Sequence, residues 1–313
     1  MDESFELPAL PSRDPDGHKG TFGTVAVVGG CAQSDALMFG APALTARAAL
    51  RAGSGLVRLV VPDPVLVPAL QLIPEATGRG LIVDEDGCVV PHKAAGALDA
   101  ALGDADVVAV GPGMGPGGEV EGVVLRALGQ SEKPVVVDAD GLNALSRVSG
   151  FEREVRAGAV FTPHPGEFSR LSGAMGLPSG VPSEEERVGR AMDMAARLGA
   201  VVVLKGAGTV VSDGHRAWKC GVRCAALAIP GSGDVLTGVI ASLIGQFVPK
   251  GPASIGGVEM PRPAGRPLGL FEAACWGVEL HALAGVSRAE AHGDAGTLAG
   301  ELADALPSVL HRY

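Results

Sequence analysis

Short β-branched runs, apolar at nearly every position, alternate along this chain with longer segments whose apolar residues recur three or four apart. The runs are Thr24–Val28 (TVAVV), Leu56–Val61 (LVRLVV), Val107–Val110 (VVAV), Val135–Asp138 (VVVD), Ala159–Phe161 and Val201–Leu204 (VVVL). Continuous apolarity over so few residues fits strands covered on both faces, as in the interior of a parallel sheet. Helical patterns fall between them at Pro42–Arg51, Gly118–Leu128, Asp140–Ser146, Gly166–Ser172 and Ser183–Leu198. This alternation predicts an α/β fold: a doubly wound, mostly parallel sheet with helices on both faces and ligands at the carboxyl ends of its strands. Gly208–Ser212 and Ala217–Cys220 flank the turn pair Asp213-Gly214 and predict a hairpin. Beyond Gly233 the pattern is helical, over about 232–246, 270–290 and 294–306. Residues 1–18 read as a loosely attached arm and 19–313 as one domain, with a long Gly/Pro-rich loop at 248–269.

The candidate chemistry falls at the predicted strand ends. In Ala228–Gly238 (AIPGSGDVLTG), Gly231 and Gly233 allow positive φ and close approach to a ligand around Ser232. The helix that begins there aims free N–H groups and its positive dipole end at an anion. Asp234, in the first turn, is placed to take a proton from a hydroxyl being phosphorylated; a Ser followed by an acid is also an ordinary helix start. Gly111–Gly115 (GPGMG) permits a tight turn against a ligand but is not a dinucleotide fingerprint. Asp138 and Asp140 put two carboxylates on one turn, for a metal ion through water, for a neighbouring loop, or as an N-cap. His164 stands between Pro163 and Pro165, which stiffen its backbone and fix its direction, for a ligand contact or a structural turn. Glu167 would order water around a phosphate-bound Mg²⁺ or complement the helix dipole. Lys205-Gly206-Ala207-Gly208-Thr209 suits a phosphate or ribose contact without being a Walker A loop, and a solvated loop lysine reads equally well.

Composition narrows the field. Hydrophobic content of 47% against 19% charged residues is ample for a buried core. A net charge of −10 with no basic run, one Tyr and two Trp argue against nucleic acid or an anionic membrane as partner. No apolar stretch reaches membrane-spanning length, and the first twenty residues hold no signal-peptide core. The five cysteines are scattered and lack zinc spacing, which fits reduced thiols in the cytoplasm.

Seven motifs, in order, resemble the ADP/ATP-dependent NAD(P)H-hydrate dehydratases of the ribokinase-like superfamily. They are KGTFGTVAVVGG (Lys19–Gly30), GAPALTARAALRAGSGLV (Gly40–Val57), GPGMG (Gly111–Gly115), VVDADGLNAL (Val136–Leu145), TPHPGEFSRL (Thr162–Leu171), VVLKGAGTVVSDG (Val202–Gly214) and PGSGDVLTGVIASL (Pro230–Leu243). AACWGVELHALAG (Ala273–Gly285) continues the likeness, which covers about residues 18–307. The resemblance implies a ribokinase-like fold and repair of hydrated nicotinamide cofactor. ADP or ATP phosphorylates the ring hydroxyl of NADHX or NADPHX, the ring nitrogen expels phosphate, and proton loss restores NAD(P)H. It assigns Asp234 as base, with Gly231, Ser232 and Gly233 as the anion hole. Ala41, Gly113, Gly115, His164 and Asp234 would contact the hydrate, and Lys205, Gly206, Ala207, Gly208, Thr209 and Gly233 the nucleotide. Glu167 and Asp138 would serve Mg²⁺ through water, and the assembly would be a homo-oligomer, a tetramer. Ser232 replaces the family's usual Thr and keeps the hydroxyl. The epimerase domain often fused upstream is not found in this sequence, so the S epimer alone is the expected substrate. A hydroxyethylthiazole-type kinase is the alternative enzyme, sharing anion hole and fold; a non-catalytic nucleotide-binding module would not need Asp234.

Overall fold

Seven parallel strands carry the molecule: β1 (Thr24–Val28), β2 (Leu56–Pro62), β3 (Thr77–Leu81), β4 (Val107–Val110), β5 (Val135–Val137), β6 (Ala159–Phe161) and β7 (Val201–Leu204). An antiparallel pair, β8 (Val210–Ser212) and β9 (Ala217–Lys219), extends the sheet beyond β7. The computed structural model describes residues 5–249 and 267–313, together with Ser254–Ile255 and Val258–Glu259. Among these residues the sheet order is β3-β2-β1-β4-β5-β6-β7-β8-β9. The chain therefore reverses its direction of travel across the sheet between β1 and β4, the kind of switch point where doubly wound folds open a ligand crevice.

The helices are α1 (Gly40–Arg51), α2 (Asp63–Leu72), α3 (Pro91–Asp104), α4 (Glu119–Leu128), α5 (Asp140–Leu145), α6 (Pro165–Ala174), α7 (Arg187–Leu198), α8 (Ser232–Phe247), α9 (Leu270–His292) and α10 (Ala299–Leu310). The alternating side chains of the strands feed two cores. On one face Val25, Val27, Leu59, Ala109 and Val203 meet α1, α8, α9 and α10. On the other, Val28, Val108, Val110, Val137 and Phe161 meet the shell formed by α3 to α7. Helix α8 is buried along nearly its whole length, which explains its run of apolar residues on every side.

The six strands read from apolar runs are present, and so is the hairpin at Asp213-Gly214. The exposed edge strand β3 (TGRGL) and helices α2 and α3 carry no such signal, because β3 is half polar and faces solvent at its start. The last helix begins at Ala299 rather than 294, since Gly293 and Gly296 hold φ of 85° and 84°. The arm expected to be loose is, over residues 5–13, laid on the body. Phe5 packs edge-on against Phe271 at 5.1 Å between ring centroids, and the Trp276 indole N–H donates to the Pro8 carbonyl at 2.8 Å. Arg13 donates to the Gln246 side chain at 3.0 Å and to the Gly53 carbonyl at 2.6 Å. Residues 1–4 lie outside the described residues, as does most of the expected loop at 248–269. Within it, Ser254–Ile255 and Val258–Glu259 form an antiparallel pair.

Candidate active site

A cavity of about 890 Å³ opens at the carboxyl ends of β5, β6 and β7, against the N-terminus of α8. Its polar floor is built at strand ends. The chain leaves β5 through Ala139 at φ 49°, the one positive φ outside glycine among the described residues. That sparsely populated conformation for an L residue turns successive carboxylates different ways. Asp138, buried, accepts on Oδ1 from Thr162 (2.8 Å) and Lys205 Nζ (2.6 Å), and on Oδ2 from Thr237 of α8 (2.8 Å). Asp140 instead accepts the Gly115 N–H at 2.9 Å. Gly111, at φ 121°, allows the end of β4 to pass so close to the Asp138 carbonyl that a Cβ there would collide with it.

Lys205 lies 2.6 Å from Asp138 and 3.8 Å from Glu167. Burial alone would lower its pKa, but Asp138, Glu167 and Asp234 raise it above the ordinary lysine value, so it is a fixed cation rather than a solvated loop residue. It also faces the tip of α8: a Cβ on Gly233 would sit 3.4 Å from Nζ and 3.7 Å from Asp138 Oδ2.

The tip itself has the backbone of an anion site. Gly231 is the N-cap at φ 85°; Gly233, where the sequence permits positive φ or close approach, is helical and serves by leaving space. The Ser232 N–H donates to the Ile229 carbonyl at 3.3 Å and Val235 N–H to that of Gly231 at 3.1 Å. The intervening N–H groups of Gly233 and Asp234 have no acceptor among the described residues and point along the dipole. Burial raises the Asp234 carboxyl to about 7, with Asp138 and Asp140 adding repulsion and Lys205 opposing them. A carboxylate tuned there accepts protons efficiently at neutral pH.

His164 fulfils the structural reading, and its other ring nitrogen, Nε2, lies 3.4 Å from Glu167 Oε1. It is the N-cap of α6: Nδ1 accepts from the N–H groups of Gly166 (3.0 Å) and Glu167 (3.3 Å), while its own N–H donates to Glu167 Oε2 (2.8 Å). Burial, Lys205 and Arg170 lower its pKa. The ring is therefore neutral at pH 7, with Nδ1 an acceptor and the hydrogen on Nε2. Glu167, also buried, is raised to about 7, chiefly by desolvation.

Asp138, His164, Glu167, Lys205, Gly206, Ala207, Thr209 and residues 231–234 thus line one cavity. Gly208 is beside it, next to Lys219. Ala41, Gly113 and Gly115 form a neighbouring cluster instead. A Cβ on Gly113 would lie 3.1 Å from that of Ala41, and Gly115 reaches the cavity only through Asp140, close enough to raise the Asp234 pKa. Asp138 accepts three hydrogen bonds, from Thr162, Lys205 and Thr237, which leaves capacity on Oδ2 for a water, and the described residues contain no cluster of three metal-binding side chains. Glu167 fits only contact through water, which suits an ion that arrives on a nucleotide.

Further lining residues, some of them inside the quoted motifs, are not among those the sequence assigns to the site. An apolar wall comes from Val222, Leu227, Ile229, Val278 and Ala282. Arg223 stands at its edge, paired with Glu184 at 2.6 Å. His281, a lone histidine inside a helical pattern, points from α9 onto Ser232.

Residues 25–308 match the NAD(P)H-hydrate dehydratase family. The chain is 36% identical over 300 residues to the ADP-dependent (S)-NAD(P)H-hydrate dehydratase of Neisseria meningitidis, covering 94% of this chain and 87% of that one. It is 38% identical over 308 residues to the bifunctional NAD(P)H-hydrate repair enzyme Nnr of Thermofilum pendens, covering 96% of this chain and 52% of the relative. Indeed the chain spans about half the length of several curated relatives that it matches. The ADP/ATP-dependent NAD(P)H-hydrate dehydratase of Bacillus subtilis, co-crystallized with ATP/Mg²⁺, superimposes with a TM-score of 0.75 at 30% identity, over 97% of this chain and 94% of that one. With a matched span running from β1 into α10 and enclosing every group of the polar floor, the chain belongs to the NAD(P)H-hydrate dehydratase family.

Proposed function

We propose that this protein uses ADP or ATP to dehydrate the S epimer of NADHX or NADPHX, returning NAD(P)H. The observation that carries the proposal is a carboxyl raised to about 7, Asp234, standing beside two free N–H groups and the Lys205 ammonium at one helix tip. That arrangement supports phosphoryl transfer to a hydroxyl. Asp234 takes the hydroxyl proton as the oxygen attacks the terminal phosphorus of the donor, whose bridging P–O bond breaks to release AMP from ADP or ADP from ATP. Lys205 and the Gly233 and Asp234 N–H groups hold the charge that spreads over the phosphoryl oxygens. The ring nitrogen then expels phosphate, and loss of a ring proton gives the reduced cofactor. His164, whose exposed ring holds Nε2 3.4 Å from Glu167 Oε1, is assigned to the hydrate with Ala41, Gly113 and Gly115. The Lys205–Thr209 segment and the apolar wall are assigned to the nucleotide. Glu167 is placed to hold water on a magnesium ion that would arrive with the nucleotide and would neutralise its phosphates. From the resemblance we assign a cytoplasmic homotetramer, which sedimentation and cell fractionation test.

The decisive experiment incubates the protein with NADHX and either ADP or ATP. Recovery of reduced-nicotinamide absorbance with stoichiometric release of inorganic phosphate is expected. A phosphorylated organic product without absorbance recovery would make the protein a small-molecule kinase instead. No contact in the cavity favours that second reading.

A further inference from the structure

Helix α9 brings an imidazole to the tip of α8. The two helices run closely packed: at Gly277 of α9 a Cβ would come 2.5 Å from Ile240 of α8, so the approach requires glycine there. One turn further on, His281 is 8% exposed and lines the cavity. Its Nε2 lies 2.9 Å from the Ser232 carbonyl oxygen and 3.1 Å from Ser232 Oγ. A carbonyl can only accept, so Nε2 carries the hydrogen. Burial, which lowers the ring's pKa to about 4, keeps it neutral in that form. Two consequences follow for the anion site. The Ser232 carbonyl and the Gly233 N–H belong to one planar peptide unit, so fixing the oxygen fixes the direction of the N–H. Ser232 Oγ meets Nε2 as an acceptor, which frees its own hydrogen for a ligand in the cavity.

We propose that His281 is a positioning residue that aims the Gly233 N–H and the Ser232 hydroxyl at the phosphoryl group in transfer. It touches neither substrate; it fixes donors that would otherwise turn on the soft torsions of a glycine. This rests on the α8 tip being the phosphoryl site.

The test compares His281→Leu with His281→Gln, whose amide nitrogen reaches the position of Nε2. In the Leu variant kcat should fall 10- to 100-fold while KM for both substrates changes less than threefold. The Gln variant should recover most of the loss, and both should keep the wild-type thermal midpoint. A second readout needs no hydrate. Aluminium fluoride, standing for the phosphoryl in flight, should tighten binding of the product nucleotide to the wild type and the Gln variant but not to the Leu variant. Equal tightening in all three proteins, or a Gln variant as slow as the Leu variant, would overturn the role of His281 alone. No tightening in the wild type would overturn the phosphoryl site itself, and this role with it.

Discussion

The two sides of the cavity are built on opposite principles. The floor is a set of buried charges, Asp138, Glu167, Lys205 and Asp234, each held at a strand end or helix tip and each bonded to or perturbed by the others. The wall, from Val222, Leu227 and Ile229 to Val278 and Ala282, is apolar and offers shape without charge. A buried charge is expensive unless its partners are fixed, so the floor must sit on the rigid sheet. An apolar wall has no such requirement and is carried by the segment after β9 and by α9. In the function proposed above, charge is concentrated where a phosphoryl would move, and the wall would accept a flat base.

The comparison breaks most completely at Asp234. Asp234→Asn keeps shape but cannot accept the hydroxyl proton, so kcat should fall about 100-fold or more while nucleotide affinity survives, as calorimetry would read. Because the active form is the carboxylate and its value is about 7, wild-type kcat should decline as pH falls through about 7. The sign for stability is the reverse. The folded state binds this proton more tightly than the unfolded chain does, so the group's contribution is full below the ordinary value of 3.8 and is lost as pH rises through about 7. Glu167, also raised to about 7, contributes to the same limb, so in the Asn variant that limb of the unfolding-against-pH curve should shrink to the Glu167 part; an unchanged limb would assign the titration to Glu167 alone.

Lys205→Met comes next, and it separates the floor from the wall by stability. Removing the cation leaves Asp138 and Glu167 buried without their common partner, a loss of about 3–5 kcal/mol in denaturant unfolding. A change below 1 kcal/mol would mean that Thr162 and Thr237 alone satisfy Asp138.

His164 sharpens the comparison, because it serves fold and ligand at once. His164→Ala removes the N-cap of α6 as well as Nε2–H, and should cost about 1 kcal/mol of stability together with 1–3 kcal/mol of hydrate binding. His164→Asn should restore the stability and not the binding. Recovery of both would reduce His164 to its structural role, and a loss confined to ADP would reverse the assignment of the cleft.

The smallest effect belongs to the wall. Ile229→Ala should weaken nucleotide binding by about 1 kcal/mol, with kcat and its pH profile unchanged. A displaced pH profile would show that wall and floor are coupled.

Much of this is legible in the sequence. The apolar runs mark the six inner parallel strands because a strand covered on both faces has no polar position to spare. The motifs at their ends name Asp138, His164, Glu167, Lys205 and Asp234, since a doubly wound sheet places strand-end residues around one crevice. Less legible was what each does there. Lys205 reads equally as a solvated loop residue, and only its 2.6 Å pairing with Asp138 makes it part of a buried ion pair. Asp138 reads as a water-mediated metal contact or a holder of a neighbouring loop, and only the fold brings Thr162 and Thr237 onto it. Edge strand β3 escapes notice because solvent permits it to be polar.

The sequence by itself determined the layered α/β architecture, the glycine-flanked helix tip and the family, because these depend on local periodicity, backbone permission and the order of motifs. Only the tertiary structure decided which neighbours share charge and which hydrogen bonds are already taken. His281 approaches Ser232 across 49 residues of chain, and Thr237 reaches Asp138 across 99. No local pattern encodes such distances. They are set by the packing of α9 on α8 and of α8 on the sheet, and that packing turns an ordinary helix start into a site with a raised carboxyl and two N–H groups to spare.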